Sequence, residues 1–223
     1  MVKQIKVVPA ILTEDPRELE TMVQEAETFA DYAQFDFMDG RFVPSRSIAY
    51  QDLLTIPIKF SWEAHLMVEC PQDYLDNMRK AGAKKVIFHY ESTSSPQSVI
   101  SRARELGLEL GLAINPETNV RSFLPLVDDV DSVLFLTVQP GFYGSKFIPE
   151  VLDKVVELRQ SRPSIEIGVD GGIKESNIVQ VARSGVDVVY VGSAIFLQPK
   201  PAEKYYDLVA LTLEASSPNE LGI

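Results

Sequence analysis

Residues 5–38 read IKVVPAILTEDPRELETMVQEAETFADYAQFDFM and contain a predicted strand, helix and second strand in turn. The apolar runs at 5–12 and 33–38 are short and rich in Val, Ile and Phe, which is typical of buried strands. Between them, Asp15 can cap a helix whose first position suits Pro16. The apolar side chains of this helix fall on one stripe: Leu19, Met22, Val23, Ala26 and Ala30. The pattern therefore predicts one strand–helix–strand unit.

The same alternation continues along the whole chain. Eight apolar runs predict strands, at 5–12, 33–38, 60–68, 85–90, 108–114, 132–138, 165–169 and 187–192. Eight repeats in 223 residues average about 28 residues each, which is room for a strand, a helix and two short turns. Such alternation gives a parallel sheet covered by helices. We predict a single α/β domain over residues 1–223, a (β/α)₈ TIM barrel, with an open doubly wound sheet as the alternative.

Composition excludes several classes of protein. Acidic side chains outnumber basic ones 32 to 21, for a net charge of −11, so a diffuse basic surface for nucleic acid or anionic lipid is not expected. The single cysteine, Cys70, excludes an intrachain disulfide and points to a reducing compartment. We see no signal-peptide cleavage pattern and no apolar run of the roughly 20 residues that span a bilayer. We expect a cytoplasmic protein whose partners include neither nucleic acid nor membrane.

Polar residues stand near the ends of three predicted strands. Alternation along a strand turns Asp36, His65 and Asp170 toward the barrel interior, and catalytic groups of such barrels lie at the carboxyl ends of the strands. Met38 and Met67 share these faces and would form an unreactive wall beside a ligand. Each residue also has a structural interpretation: an aspartate can cap a turn, a lone histidine can be a core residue, and methionines fill cores. The convergence of two carboxylates and a histidine favours a functional site.

A second signal predicts a site for an anion. Small residues after the seventh and eighth predicted strands expose backbone N–H groups: Gly171, Gly172, Gly192 and Ser193. The loop at 139–146, QPGFYGSK, is also glycine-rich and includes Lys146. Glycines at strand ends are also ordinary turn residues, so each loop alone says little. Together they favour a phosphorylated ligand held by amides.

Five ordered motifs resemble the ribulose-phosphate 3-epimerase family. The resemblance runs from Val8 to Phe196, and its motifs are FDFMDGRFVPS, EAHLMVECPQDYL, TVQPGFYGSKFIPEVLDK, VDGGI and VGSAIF. It implies a ribulose-phosphate-binding barrel that interconverts D-ribulose 5-phosphate and D-xylulose 5-phosphate. It also implies two acid–base aspartates and a divalent metal ion, usually zinc. Since members of this family handle a small phosphorylated sugar, we expect such a substrate here, and we expect a homo-oligomer.

The resemblance also implies residue roles. Asp36 and Asp170 would be the catalytic pair, and these two with His65 would be metal ligands. The phosphate would lie against Gly144, Gly171, Gly172, Gly192 and Ser193. Met38, Met67 and Leu136 would form the wall of the substrate pocket.

Four positions depart from the family pattern. Gln34 stands where the family has a metal-binding histidine, and Ala10 where it has a serine; Leu136 replaces a methionine and Tyr143 a glycine. An amide oxygen is a neutral and weaker ligand than imidazole. We therefore expect either weaker binding of zinc, iron or cobalt, a shift toward manganese or magnesium, or an empty metal site.

Inversion of a carbon beside a ketone requires removal of a proton on one face and its return on the other, so two acid–base groups must flank the substrate. A metal ion can neutralise the enediolate that forms between these steps. We expect a two-base isomerase of a phosphorylated ketose. The alternative is a catalytically impaired, metal-free member that binds sugar phosphates. An aldolase or decarboxylase relative is disfavoured, because no strand end shows a D-x-K-x-x-D cluster.

Overall fold

The computed structural model describes residues 4–141 and 145–216, and its strands form a closed parallel barrel. Each strand pairs with the next along the chain, and the first strand also pairs with the eighth. The strands are β1 Lys6–Ile11, β2 Tyr32–Met38, β3 Ser61–Met67, β4 Lys85–His89, β5 Glu109–Ile114, β6 Ser132–Leu136, β7 Glu166–Asp170 and β8 Val188–Val191. The predicted TIM barrel is therefore confirmed, and the open sheet is excluded.

The helices of the described residues alternate with the strands. They are α1 Pro16–Ala26, α2 Tyr50–Leu53, α3 Leu75–Ala81, α4 Pro96–Glu105, α5 Val120–Phe123, α6 Val151–Ser161, α7 Glu175–Arg183, α8 Ser193–Phe196 and α9 Pro201–Ser216. Short 3₁₀ segments lie at Pro71–Asp73, Tyr90–Ser92 and Leu124–Asp129. No helix among residues 4–141 and 145–216 is both long and apolar enough to cross a membrane.

Helix α1 begins where the sequence predicts it. The Asp15 carboxylate accepts a hydrogen bond from the backbone N–H of Arg17 at 2.9 Å, and Pro16 occupies the first helical position, where its missing N–H costs nothing. The apolar stripe of the helix faces the barrel, with Leu19 and Ala26 fully buried. Burial of a leucine side chain contributes about 1.5–3 kcal/mol. This helix therefore covers the outside of the sheet.

The strands bury both of their faces. Outward side chains such as Phe35 and Trp62 pack beneath the helices, with their rings 5.3 Å apart and nearly perpendicular. Inward side chains form a separate apolar cluster inside the barrel: Val8, Ala10, Ile87, Ala113, Leu134, Leu136, Val188 and Tyr190. These residues fill the middle of the interior, and the charged inward residues described below lie toward its two ends.

The amino-terminal end of the barrel is closed by a buried charged network. Lys85 Nζ lies 2.9 Å from Glu166 Oε1 and 3.6 Å from Glu63 Oε2, and Tyr32 donates its hydroxyl to Glu63 at 2.8 Å. Burial lowers the pKa of Lys85, but the charges of Glu63 and Glu166 outweigh burial and hold that pKa above its ordinary value. Lys85 therefore supplies the charge that makes burial of Glu63 tolerable.

We predict that Lys85→Met destabilises the protein by about 3–5 kcal/mol, because it leaves the Glu63 carboxylate buried without a cation. The double variant Lys85→Met/Glu63→Gln should recover most of the loss, since the amide still accepts the hydroxyl of Tyr32. Urea denaturation monitored by circular dichroism measures both effects. Equal stabilities of the single and double variants would contradict this role for Lys85.

Candidate active site

Strand pairing brings three of the predicted site residues together at the carboxyl end of the barrel. Asp36 and His65 are direct partners in the β2–β3 pair, and Asp170 is the last residue of β7. His65 Nδ1 lies 3.1 Å from Asp36 Oδ1 and 3.6 Å from Asp170 Oδ2. One ligand atom from each of the three residues lies within 4.8 Å of the others. The arrangement is suitable for a metal ion or for proton exchange.

Gln34 lies at the centre of this cluster. Its Nε2 donates to Asp36 Oδ1 and to Asp170 Oδ2, at 3.0 Å in each case. The side chain is fully buried, and its Oε1 has no hydrogen-bond partner in the described part of the chain. The amide therefore bridges the two carboxylates with its N–H groups, while its oxygen keeps a free lone pair.

Burial and neighbouring charges shift the pKa values of Asp170 and His65. Burial, together with the charge of Asp36, raises the pKa of Asp170 to about 7. Burial lowers the pKa of His65, but its hydrogen bond to Asp36 and the charges of both aspartates hold it above its ordinary value. Asp36 Oδ1 faces two donors, Gln34 Nε2 and His65 Nδ1. The raised pKa of Asp170 lets the cluster hold a proton on that carboxyl group.

The ligand cavity opens directly above these groups. Its wall includes the predicted apolar side chains Met38, Met67 and Leu136 and the predicted loop residues Gly171, Gly172, Gly192 and Ser193. Sequence reasoning did not assign Ser145 or Ile173 to the pocket, although both line it. Gly144 and Tyr143 lie outside the described residues. The predicted wall and loop residues other than Gly144 thus face one cavity.

The backbone conformation at positions 171 and 172 favours glycine. Gly171 and Gly172 have φ values of +108° and +67°, which residues with a side chain rarely adopt. A Cβ at Gly171 would also lie 2.4 Å from Val138 Cγ2. A larger residue at this position would push the loop into the cavity or away from it. Glycine at this position therefore keeps the loop packed against Val138 at the wall of the cavity.

Other contacts were not evident from the sequence. The hydroxyl of Ser47 donates to the backbone carbonyl of Asp36 at 2.7 Å and accepts from the N–H of Met38 at 2.9 Å, which fixes the end of β2. His89 contacts His65 through their Nε2 atoms, 2.9 Å apart. His89 is the last residue of β4, and its contact with His65 on β3 depends on side-chain rotamers that the sequence does not show. Ala10 pairs in register with Gln34 and lines the cavity, so the serine that the family pattern has at this position would place its hydroxyl there.

A closed eight-stranded barrel with acid–base groups and a cavity at its carboxyl-terminal mouth is the architecture of a (β/α)₈-barrel enzyme. The model of the Ribulose-phosphate 3 epimerase family matches residues 6–196. The chain is 37% identical over 207 residues to the ribulose-phosphate 3-epimerase of Schizosaccharomyces pombe, covering 90% of both chains. It is 39% identical over 215 residues to the enzyme of that name from Synechocystis sp., covering 91% of this chain and 92% of the relative. The protein belongs to the ribulose-phosphate 3-epimerase family.

Solved structures share the fold at lower identity. KGPDC from Streptococcus mutans matches with a TM-score of 0.76 and 13% identity, covering 95% of this chain and 99% of that chain. A 3-hexulose-6-phosphate synthase from Salmonella typhimurium matches with a TM-score of 0.73 and 18% identity, covering 95% and 100%. At these identities the likeness concerns the fold alone.

We predict that one carboxyl group of the metal-free protein titrates near pH 7, and that Asp36→Asn lowers this apparent pKa by removing the neighbouring charge. The folded protein holds this proton to about pH 7, whereas an unfolded aspartate releases it near pH 4. The free energy of unfolding should therefore fall as the pH rises between these values. Carbon-13 NMR of the carboxyl groups measures the titration; an unchanged value in Asp36→Asn would contradict the assignment.

Proposed function

We propose that this protein is an isomerase that interconverts D-ribulose 5-phosphate and D-xylulose 5-phosphate through proton transfer by Asp36 and Asp170. The observation that carries the proposal is the carboxyl pair at the barrel mouth, in which Nε2 of Gln34 lies 3.0 Å from both Asp36 and Asp170 and in which burial and the charge of Asp36 raise the pKa of Asp170 to about 7. Membership of the family supports the reaction class. The pair supplies the acid and the base that inversion at a carbon requires.

Two proton transfers complete the reaction. The C–H bond at C3, next to the ketone, breaks as its proton passes to the ionised carboxylate, and the electron pair moves onto the ketone oxygen to give an enediolate. The protonated carboxyl group then returns a proton to the opposite face of C3, and the electrons of the enediolate re-form the ketone. Asp36 extends from β2 and Asp170 from β7, so the groups approach the ligand from different strands. In the reverse direction the two residues exchange roles.

The donor set fits a divalent metal ion. Asp36, His65 and Asp170 would hold it, and the free Oε1 of Gln34 would provide a fourth ligand once its amide turns over. Candidate ions are zinc, manganese, iron, cobalt and magnesium. When bound, such an ion supplies positive charge beside the ketone oxygen on which negative charge develops. Without it, the donors near that oxygen are His65 and Gln34.

The sugar phosphate is anchored away from the carboxyl pair. Gly171, Gly172, Gly192 and Ser193 line the cavity and would bind the phosphate with backbone amides, together with Gly144. Met38, Met67 and Leu136 would form the wall that excludes water from the reacting carbon. Binding of the phosphate by backbone amides would let a chain of net charge −11 hold an anion without a basic patch.

The proposed setting of the enzyme is the cytoplasm, as a homo-oligomer acting without nucleic acid or membrane, with residues 1–223 as one barrel domain. A relative from Oryza sativa is named as a cytoplasmic isoform and is 37% identical over 208 residues. Exposed apolar side chains, Leu197 at 67% and Tyr206 at 57%, are available for contacts between subunits. Sedimentation velocity tests the oligomer, and a monomer would contradict it.

We predict that Asp36→Asn and Asp170→Asn each lower the epimerisation rate by at least about 10²–10⁴-fold, because each removes one of two obligatory proton carriers. A coupled assay with both pentose phosphates measures the rates, and calorimetry measures sugar-phosphate binding, which both variants should retain. Wild-type-like turnover of either variant would refute the assigned roles. A wild-type protein that binds the sugar but shows no turnover with any divalent ion would favour the alternative, a catalytically impaired, metal-free binding protein.

We also predict that Gln34→His tightens the binding of zinc, because imidazole is a stronger ligand for zinc than an amide oxygen and because the N–H bridge between the carboxylates is lost. Elemental analysis of the purified proteins and competition with a chelator measure the change. Gln34→Asn is the matched control, since it keeps the amide. Identical zinc affinity of wild type and Gln34→His would rule out a ligand position at residue 34.

A further inference from the structure

A line of buried polar side chains leads from His65 away from the ligand cavity. His65 Nε2 lies 2.9 Å from His89 Nε2, and both side chains are fully buried. The rings stack with their centroids 5.1 Å apart. On its other side, His89 Nδ1 lies 3.5 Å from Glu91 Oε2. The two aspartates of the site contact the other nitrogen of His65, Nδ1. His89 and Glu91 therefore lie on the side of His65 that faces away from the aspartates.

Glu91 is held in place as an anion. Its Oε1 accepts hydrogen bonds from the backbone N–H of Asn115 at 2.9 Å and from the hydroxyl of Thr118 at 2.5 Å. Burial raises the pKa of Glu91, but its contact with His89 and the hydrogen bonds from Thr118 and Asn115 outweigh burial and hold it below its ordinary value. Within the described residues neither Glu91 Oε2 nor His89 Nδ1 has a hydrogen-bond partner, and the two atoms lie 3.5 Å apart. Its free lone pairs therefore face His89.

The proton positions follow from this anchor. Both histidine rings are fully buried, a neutral imidazole carries one N–H, and the carboxylate of Glu91 can only accept a hydrogen bond. Nδ1 faces the Glu91 carboxylate, which places the N–H there and leaves a lone pair on Nε2. That lone pair can only accept, so the facing Nε2 of His65 must be the donor. Nδ1 of His65 is then the nitrogen left for exchange between a proton and a metal ion.

We propose that Glu91 acts through His89 as a positioning residue, which keeps a proton on Nε2 of His65 and reserves its Nδ1 for the site. We call the series Glu91, His89 and His65 the relay. In the metal-free protein Nδ1 of His65 shares a proton with Asp36, and a metal ion would replace that proton without any change in the relay. The proposal rests on the proposed function of His65 as a ligand. It adds two residues that touch neither substrate nor metal.

The proposed relay differs from ordinary core packing in its dependence on the charge of Glu91. Glu91→Gln keeps the size of the side chain but offers His89 either an N–H donor, which opposes the relay, or an oxygen. In the second orientation the amide N–H₂ is turned against the donors of Asn115 and Thr118. Either way the arrangement of His89 is weakened. A packing role would be insensitive to this substitution.

Nitrogen-15 NMR reads the relay directly, because the chain has only two histidines. In both the metal-free and the zinc-loaded protein we expect His89 to carry its proton on Nδ1, with a scalar coupling across the N–H···N bond to His65. In the zinc-loaded protein His65 should carry its proton on Nε2. A proton on Nε2 of His89, or zinc on Nε2 of His65, would overturn the proposal.

Zinc affinity supplies the second measurement. We expect Glu91→Gln to raise the zinc dissociation constant about 10–100-fold, the usual effect of losing a partner behind a ligand histidine. Glu105→Gln, the same change on the exposed end of α4, is the matched control and should leave the constant unchanged. Equal constants for the two variants would overturn the positioning role.

Variants of His89 keep the test decisive if Glu91→Gln does not fold. His89→Gln can still accept from His65 and donate to Glu91, so it should stay within about threefold of wild type, whereas His89→Phe should lose about 10–100-fold in zinc affinity. Equal losses would show a packing role. If the wild-type protein takes up no zinc, the proposed metal site fails, and the histidine spectrum of the metal-free protein alone decides whether the relay exists.

Discussion

Closure of the parallel sheet is the constraint on which the rest of the molecule depends. Once β1 pairs with β8, every strand has a partner on both sides and an inner face that must be filled. Apolar side chains fill the middle of the barrel, and charged inward residues gather toward its ends. At one end they form the buried network of Lys85, Glu63 and Glu166, and at the other they form the cluster of Asp36, His65 and Asp170. The charged network that stabilises the barrel and the cluster proposed for catalysis therefore lie at opposite ends of the barrel axis.

Gln34 explains how the chemical end tolerates two carboxyl groups so close together. Two buried carboxylates repel each other, and a metal ion or a shared donor must offset that repulsion. The amide of Gln34 provides one donor to each, and the raised pKa of Asp170 adds a proton. Both features reduce the need for a metal ion, while the free Oε1 of Gln34 still offers a ligand. In the proposed enzyme, glutamine at position 34 therefore changes the balance between the metal-free and the metal-bound site, while both carboxyl groups stay in place.

The sequence predicts the parts of this structure that depend on local periodicity. Strand positions agree with the apolar runs to within a few residues, and alternation alone turns Asp36, His65 and Asp170 toward the interior. Side-chain contacts between strands cannot be predicted in this way, because they depend on register and on side-chain rotamers, and periodicity determines neither. The bridge from Gln34 to Asp170 joins residues 136 positions apart, and the His65–His89 contact crosses from one strand to the next. The salt bridges of Lys85 at the opposite end of the barrel depend on register in the same way.

The central claim is that two carboxyl groups act on opposite faces of one substrate carbon. The most direct measurement is the isotope content of the product when D-ribulose 5-phosphate is converted in D₂O and stopped at low conversion. Because the carboxyl group that returns the proton has exchanged with solvent, the D-xylulose 5-phosphate formed should carry deuterium at C3 in nearly every molecule. Product that retains the original proton of the substrate would mean that a single group carries it from one face to the other, and would contradict the account.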